Sequence, residues 1–266
     1  MKIIINADDY GWDEDANQGI LTLVRAGALS SLSIMANMAD DYALKNMAIH
    51  TNTVSTGIHV TLNEGKPVSN PIQIRSLLDK NGCFFSSSEL LRKFSCGYVK
   101  PYHIELEIRN QIGRLRDFGI DISHADSHQH LHQYPFLGKI ILSVLQKEGI
   151  KKVRRCLPET TNDFRRKVLN GFHFLSKNNL KPFKSPELLV TSFAHQTDAN
   201  LTIFESSIQE LQKRKISVAE FMCHPALSNR EDSYLNRKAE FDFLFYAPWQ
   251  DILDAEGIEW VNYKNL

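Results

Sequence analysis

Four cysteines stand in this chain, Cys83, Cys96, Cys156 and Cys223, and no two of them form a C-x-x-C pair. Their scarcity and spacing argue against a Cys-ligated zinc and suit a reducing cytoplasm, the expected location. No window approaches the roughly 18 consecutive apolar residues of a membrane span. The apolar start, Ile3-Ile4-Ile5, is too short for a signal peptide and runs at once into Asp8 and Asp9. An excess of either charge is also missing, since 31 Lys and Arg balance 31 Asp and Glu. With no basic stripe carrying interleaved aromatics, the chain has no electrostatic footprint for nucleic acid. No GxGxxG follows the first strand-like run, which weakens a dinucleotide reading, and no repeat of about 20–50 residues is visible. What is present is ordinary for a soluble globular protein: 266 residues, 42% hydrophobic and 23% charged, with ample length for a core.

Hydrophobic patterning predicts alternating strands and helices. Strands are expected at 2–7, 31–36, 54–61, 121–127, 152–155, 188–193, 218–223 and 258–263. Helices are expected near 15–26, 40–51, 104–118, 136–149, 161–177 and 202–214, with more within 234–254. The clearest helix carries Ile104, Ile108, Ile112 and Leu115 on one face. About eight strands over roughly 250 residues fit an α/β chain folded as a TIM-like (β/α) barrel, closed or nearly so, in a single domain over 1–266. Residues 63–100 break the rhythm with Gly65, Pro67, Pro71, Gly82 and Gly97, and scattered aromatics, so a long lid-like loop is expected there.

The most concentrated chemistry is His124-Ala125-Asp126-Ser127-His128-Gln129-His130-Leu131-His132. Four imidazoles and a carboxylate at alternate positions share one face wherever the segment is extended. Such a face is poor core material unless a divalent cation gathers it. The competing reading is a solvated His-rich loop.

In a β/α barrel, function gathers at the C-terminal ends of the strands. The predicted strand ends carry Asp8-Asp9, His59, Asp126 and His128, Arg154-Arg155 and His224. Asp9, His59 and His128 make a carboxylate-plus-two-imidazole set that leaves positions open for water and substrate. Asp8 is the candidate general base, and Asp126 could orient a ligating imidazole. His224, just before Pro225, is the candidate general acid, expected to titrate near neutrality and to approach from the side away from Asp8. Alternatively, Asp8-Asp9 is a turn or helix cap. His50, His103, His173 and His195 lack strand-end placement and are expected to be surface or core residues.

Four blocks in order, Asn6-Ala7-Asp8-Asp9-Tyr10-Gly11, Gly57-Ile58-His59-Val60-Thr61-Leu62, Asp126-Ser127-His128-Gln129-His130 and His224-Pro225, resemble the signature blocks of the YdjC-like carbohydrate deacetylases, the family of chitooligosaccharide deacetylase. The resemblance runs from Met1 to about Glu240, with Tyr10 where Phe is commoner. It implies a TIM-like barrel and a divalent metal held by Asp9, His59 and His128, with Asp8 as base. It also implies hydrolysis of an N-acetyl group from an amino sugar or oligosaccharide. Zinc suits two neutral imidazoles and a carboxylate, and magnesium or manganese would need added waters. Asp126, His130 and Arg154 are expected in supporting or substrate-binding roles, and a homodimer is compatible with this reading. Two rivals remain: a metal-dependent phosphoesterase with Arg154 and Arg155 clamping phosphate, and a non-catalytic sugar- or metal-binding protein.

Overall fold

The first run forms β1 (Lys2–Tyr10), and every residue in it after Lys2 is buried. A strand that is apolar on both faces must be covered on both, so it belongs at the centre of a sheet. The computed structural model describes residues 1–159, 164–192 and 199–266. The sheet order is β4-β3-β2-β1-β6-β5. The strands are β2 (Ser31–Ile34), β3 (Ser55–Val60), β4 (Ile122–Ser127), β5 (Leu188–Val190) and β6 (Val218–Cys223), and all neighbours are parallel. β7 (Glu259–Trp260) pairs with the start of β1 at Lys2 and Ile3, whereas β2 pairs from Asn6 onward.

Parallel neighbours require crossovers, and helices supply most of them. They are α1 (Glu14–Arg25), α2 (Asp41–Ala48), α3 (Ser87–Ser95), α4 (Pro101–Asp117), α5 (Leu137–Lys147), α6 (Phe164–Ser176), α7 (Leu201–Lys213), α8 (Arg237–Tyr246) and α9 (Trp249–Ala255). The predicted stripe on α4 is fully buried. Asp13 caps α1, accepting from the Ala16 N–H at 2.8 Å, and Asp40 caps α2. Helix capping therefore falls to these residues, and Asp8 and Asp9 are left for the strand rim.

Two expectations are corrected. The sheet is a curled half-barrel and not a closed barrel, because Lys152–Arg155 is not a regular strand. It makes isolated bridges, Ala125↔Val153 and Lys152↔Lys184, and the chain then reaches β5 through Pro158↔Leu189. Pro158 has no N–H to give a ladder, which discourages a continuous strand there. The second correction concerns 63–100, which has structure of its own: a 3₁₀ segment (Pro71–Leu77) and α3. Ile74, Leu77, Phe84, Phe85, Leu90 and Val99 are buried in the main core. Each such side chain contributes about 1.5–3 kcal/mol of burial, so the segment is part of the folded body. Among the described residues, no helix is long and apolar enough to cross a membrane. The expected helix start at 161 and the strand end at 193 lie outside the described residues.

Candidate active site

A cavity of about 400 Å³ opens at the C-terminal rim of the sheet, bordered by Asp8, Asp9, His59, His128 and His224. That volume suits a small ligand or a sugar unit. In an undisturbed strand Asp8 and Asp9 would face opposite sides. Here Asp9 takes a left-handed conformation, φ 65°, and the β1–β2 register shifts between Ala7 and Tyr10. The bulge turns both carboxylates into the same cavity. The turn is completed by Gly11, φ +105°, where a Cβ would come within 2.7 Å of Ala39.

Asp9 Oδ1 lies 3.4 Å from His59 Nε2 and 3.3 Å from His128 Nδ1. Donors about 2.0–2.1 Å from a tetrahedral ion sit about 3.3 Å apart, so the trio has the spacing of a metal site. Asp9 Oδ1 accepts a hydrogen bond from neither ring and is left buried without a partner, as an atom facing a cation would be. His59 Nδ1 is 2.7 Å from Asp126 Oδ1, which suits an Nδ1–H tautomer with the Nε2 lone pair free for the site. His128 is reached differently. β4 ends at Ser127, and the chain enters a 3₁₀ turn, His128–Gln133, with left-handed Gln129 and His130. The expected alternation therefore stops at Ser127. His128 faces the cavity against Trp12, ring centroids 5.1 Å apart. His124 and His132 are fully buried away from the cavity, and His130 borders it.

Electrostatics also favour a cation. Among the described residues, Asp8, Asp9, Asp126, Glu220 and Glu240 are buried beside two buried guanidinium groups, Arg154 and Arg237. With the imidazoles neutral, five ionised carboxylates against two guanidinium groups leave −3, which low-dielectric surroundings tolerate poorly. Burial pushes Glu240 up to about 8, so a proton there relieves part of that charge, and burial also raises Glu220 against the opposing pull of Arg154. Burial alone would also raise Asp9, but Arg237 and the two imidazoles outweigh it and hold its carboxyl well below the usual range.

Arg154 does not reach the cavity. It is fully buried, and its Nη1 and Nη2 grip Asp8 Oδ2 and Oδ1, each at 2.6 Å. The same Nη2 lies 2.8 Å from Asp126 Oδ2 and 2.7 Å from Glu220 Oε1. Of the roles expected for Arg154, this placement fits the supporting one and not contact with substrate or the clamping of a phosphate. Three inward carboxylates draw the guanidinium beneath the rim, where it fixes the plane of Asp8.

His224 Nε2 stands 3.9 Å from Asp8 Oδ2, beside that carboxylate at the rim. Burial holds its imidazole down to about 4, below the expected near-neutral titration. Its backbone N–H donates to Glu240 Oε2. Sequence reasoning missed four participants. Arg237 donates to Asp9 Oδ2 at 2.7 Å and stacks over Trp12. Trp12, Glu240 and Arg237 carried no sequence signal beyond lying near the matched blocks. Glu220 did carry one, as a lone acid inside the apolar strand Val-Ala-Glu-Phe-Met-Cys.

A model of the YdjC-like protein family matches residues 2–255. The carbohydrate deacetylase of Clostridium beijerinckii is 24% identical, over 100% of this chain and 97% of its own. That of Oceanobacillus iheyensis is 29% identical, over 92% and 96%. The carbohydrate deacetylase of Brevibacillus brevis is 35% identical over 55% of this chain, and the match spans only about half of that relative's length, 56%. Among solved structures, an Enterococcus faecalis protein named for cellobiose-phosphate cleavage superposes with a TM-score of 0.81 at 23% identity, over 99% of this chain and 98% of its own, and shares the fold. With the strand-end blocks converging on one cavity and the family match running over nearly the whole length, the chain belongs to the YdjC-like family.

Proposed function

We propose that this chain is a metal-dependent hydrolase that removes the acetyl group from N-acetylated amino sugars or oligosaccharides. One observation carries the reading. Asp9 Oδ1, His59 Nε2 and His128 Nδ1 converge on a cavity that Asp8, outside that set, also faces. The names of the full-length relatives support the reaction type. Asp9, His59 and His128 would hold zinc, or magnesium or manganese with extra waters. Bound there, such an ion lowers the pKa of water toward ~7 and polarises a carbonyl.

The chain's own groups do the rest. Arg154 holds the Asp8 carboxylate in one plane, so Asp8 is oriented to take a proton from the attacking water. Asp8 Oδ2 is 3.9 Å from His224 Nε2, which gives that proton a short path to the imidazole. His224, disfavoured as a cation by burial, passes the proton on to the departing amine nitrogen. Trp12 and Tyr234 line the cavity and would border a bound sugar. From 63–100, Glu64 borders the cavity and Ser87 contacts Gln129 at its edge. That segment would act on substrate as a packed wall.

The test is acetate release by metal-loaded protein across a panel of N-acetylated mono- and oligosaccharides, with chelated protein as control. Release from at least one sugar, abolished by chelation, is expected. Tight zinc binding without acetate from any member would overturn the reading in favour of a non-catalytic binding protein.

A further inference from the structure

We infer that Tyr263, near the end of the chain, is a positioning residue for Asp8, acting through Glu220 and Arg154 on one side and through His124 and Asn6 on the other. Its kinetic readout rests on the deacetylase reading, but the connections themselves do not.

Tyr263 is fully buried and lies outside the cavity wall. Its hydroxyl donates to Glu220 Oε2 at 2.6 Å. Glu220 Oε1 accepts from Arg154 Nε at 2.9 Å, and the far end of the same guanidinium grips Asp8. The second route begins at the ring. It stacks on His124 with centroids 3.8 Å apart and planes within 3°. His124 Nε2 lies 3.1 Å from Asn6 Oδ1, and Asn6 Nδ2 donates to Asp8 Oδ1 at 2.8 Å. Both routes end on one carboxylate. The turn bearing Tyr263 is itself fastened, because Lys152 Nζ donates to the Tyr263 carbonyl at 2.6 Å and to that of Lys264 at 2.8 Å.

The arrangement has a physical consequence. Arg154 is shared among Asp8, Asp126 and Glu220. How the guanidinium divides itself depends on what else satisfies Glu220. Without the tyrosine hydroxyl, a buried Glu220 oxygen loses its donor, and the carboxylate must pull harder on Arg154 or take up a proton. Either change moves the Arg154–Asp8 pair. A small misplacement of a catalytic group lowers turnover more than binding. It also gives a use to His124, which the metal trio does not employ.

The experiment compares metal-loaded wild type with Tyr263→Phe, which keeps the ring and loses only the hydroxyl. On the sugar that wild type deacetylates, kcat should fall about ten-fold, the size of one hydrogen bond to a charged group, with KM and zinc content unchanged. Leu253→Ala, a buried change in α9, should lower the unfolding midpoint yet keep kcat. A kcat for Tyr263→Phe within about two-fold of wild type would overturn the inference. A second measurement needs no activity: urea unfolding of Tyr263→Phe, Asp8→Asn and the double variant. The double variant should lose less than the sum of the singles, and additive losses would overturn the inference. If wild type releases no acetate, the deacetylase reading fails, and this cycle alone decides whether Tyr263 and Asp8 are coupled.

Discussion

Two rungs on the same face of the β3–β4 ladder treat histidine in opposite ways. At the rim rung, His59 pairs with Asp126, and at the deeper rung Gly57 pairs with His124. Both imidazoles are buried. Burial would lower His59, yet Asp126, Asp9 and Asp8 outweigh it and lift the group to about 10. At His124 burial wins and lowers the group to about 3, with Asp126 only partly opposing it. The two rungs are one step apart on the same face, so depth alone does not separate them. The surrounding charge does: carboxylates dominate at His59, whereas Arg154 and Lys152 add to the effect of burial at His124. The rim asks for positive charge, which a cation can meet, while the floor keeps its imidazole neutral as a hydrogen-bonding and stacking element.

The strongest break in this contrast is at the rim. His59→Ala or His128→Ala should lose the bound divalent ion and bring acetate release to background, and chelation of wild type should do the same. Elemental analysis finding full metal content in both variants would refute the ligand assignment. Next comes Asp8→Asn, which removes the base and leaves the trio. It should retain metal and lose about 10²–10⁴-fold in kcat. Near-normal turnover in metal-replete protein would reduce Asp8 to a partner of Arg154.

At the floor, Gly57→Ala tests whether the small residue exists to seat His124. A Cβ there would lie 2.4 Å from His124 Nε2, so the ring must shift. A loss of about 1–3 kcal/mol in unfolding free energy is expected, with the metal retained. An unchanged urea midpoint would show that the ring has room to move.

The smallest effect sharpens the contrast by pH. His124 and His132 are held low by burial, at about 3 and about 4. An unfolded histidine titrates near 6.5, so below that pH the unfolded chain binds more protons than the folded one. The stability contributed by these two groups is complete above about 6.5 and is lost as pH falls toward their folded values. Each group should cost about 1.4 kcal/mol per pH unit in that window. Replacing His124 with Gln should flatten the decline in urea midpoint between pH 7 and 5. An unchanged slope would remove His124 from the acid-labile set.

The long 63–100 segment marks where patterning misleads. Its glycines and prolines read as a loop, yet Phe84, Phe85 and Leu90 are buried in the main core. Turn residues mark where the chain bends, and say nothing of what the intervening apolar residues pack against. The site was more legible, because strand ends are set by local periodicity. Asp8, Asp9, His59 and His224 could be placed there from pattern alone, as could the helical stripe on α4.

By itself, the sequence determined the alternation of strands and helices, the residue types at the strand ends and the family, since these depend on neighbours within a few positions. The tertiary structure decided what each group does there. The bulge at Asp9 brings two adjacent carboxylates to one cavity, and the turn after Ser127 delivers His128 to Asp9. Arg154 sits under the rim and not in it, because Asp8, Asp126 and Glu220 arrive there from three strands, β1, β4 and β6. Glu220 and Tyr263, distant in sequence from Asp8, enter its surroundings only through the folded chain. Long-range electrostatics and packing depend on which strands become neighbours, and no local pattern encodes the charge a buried group will meet.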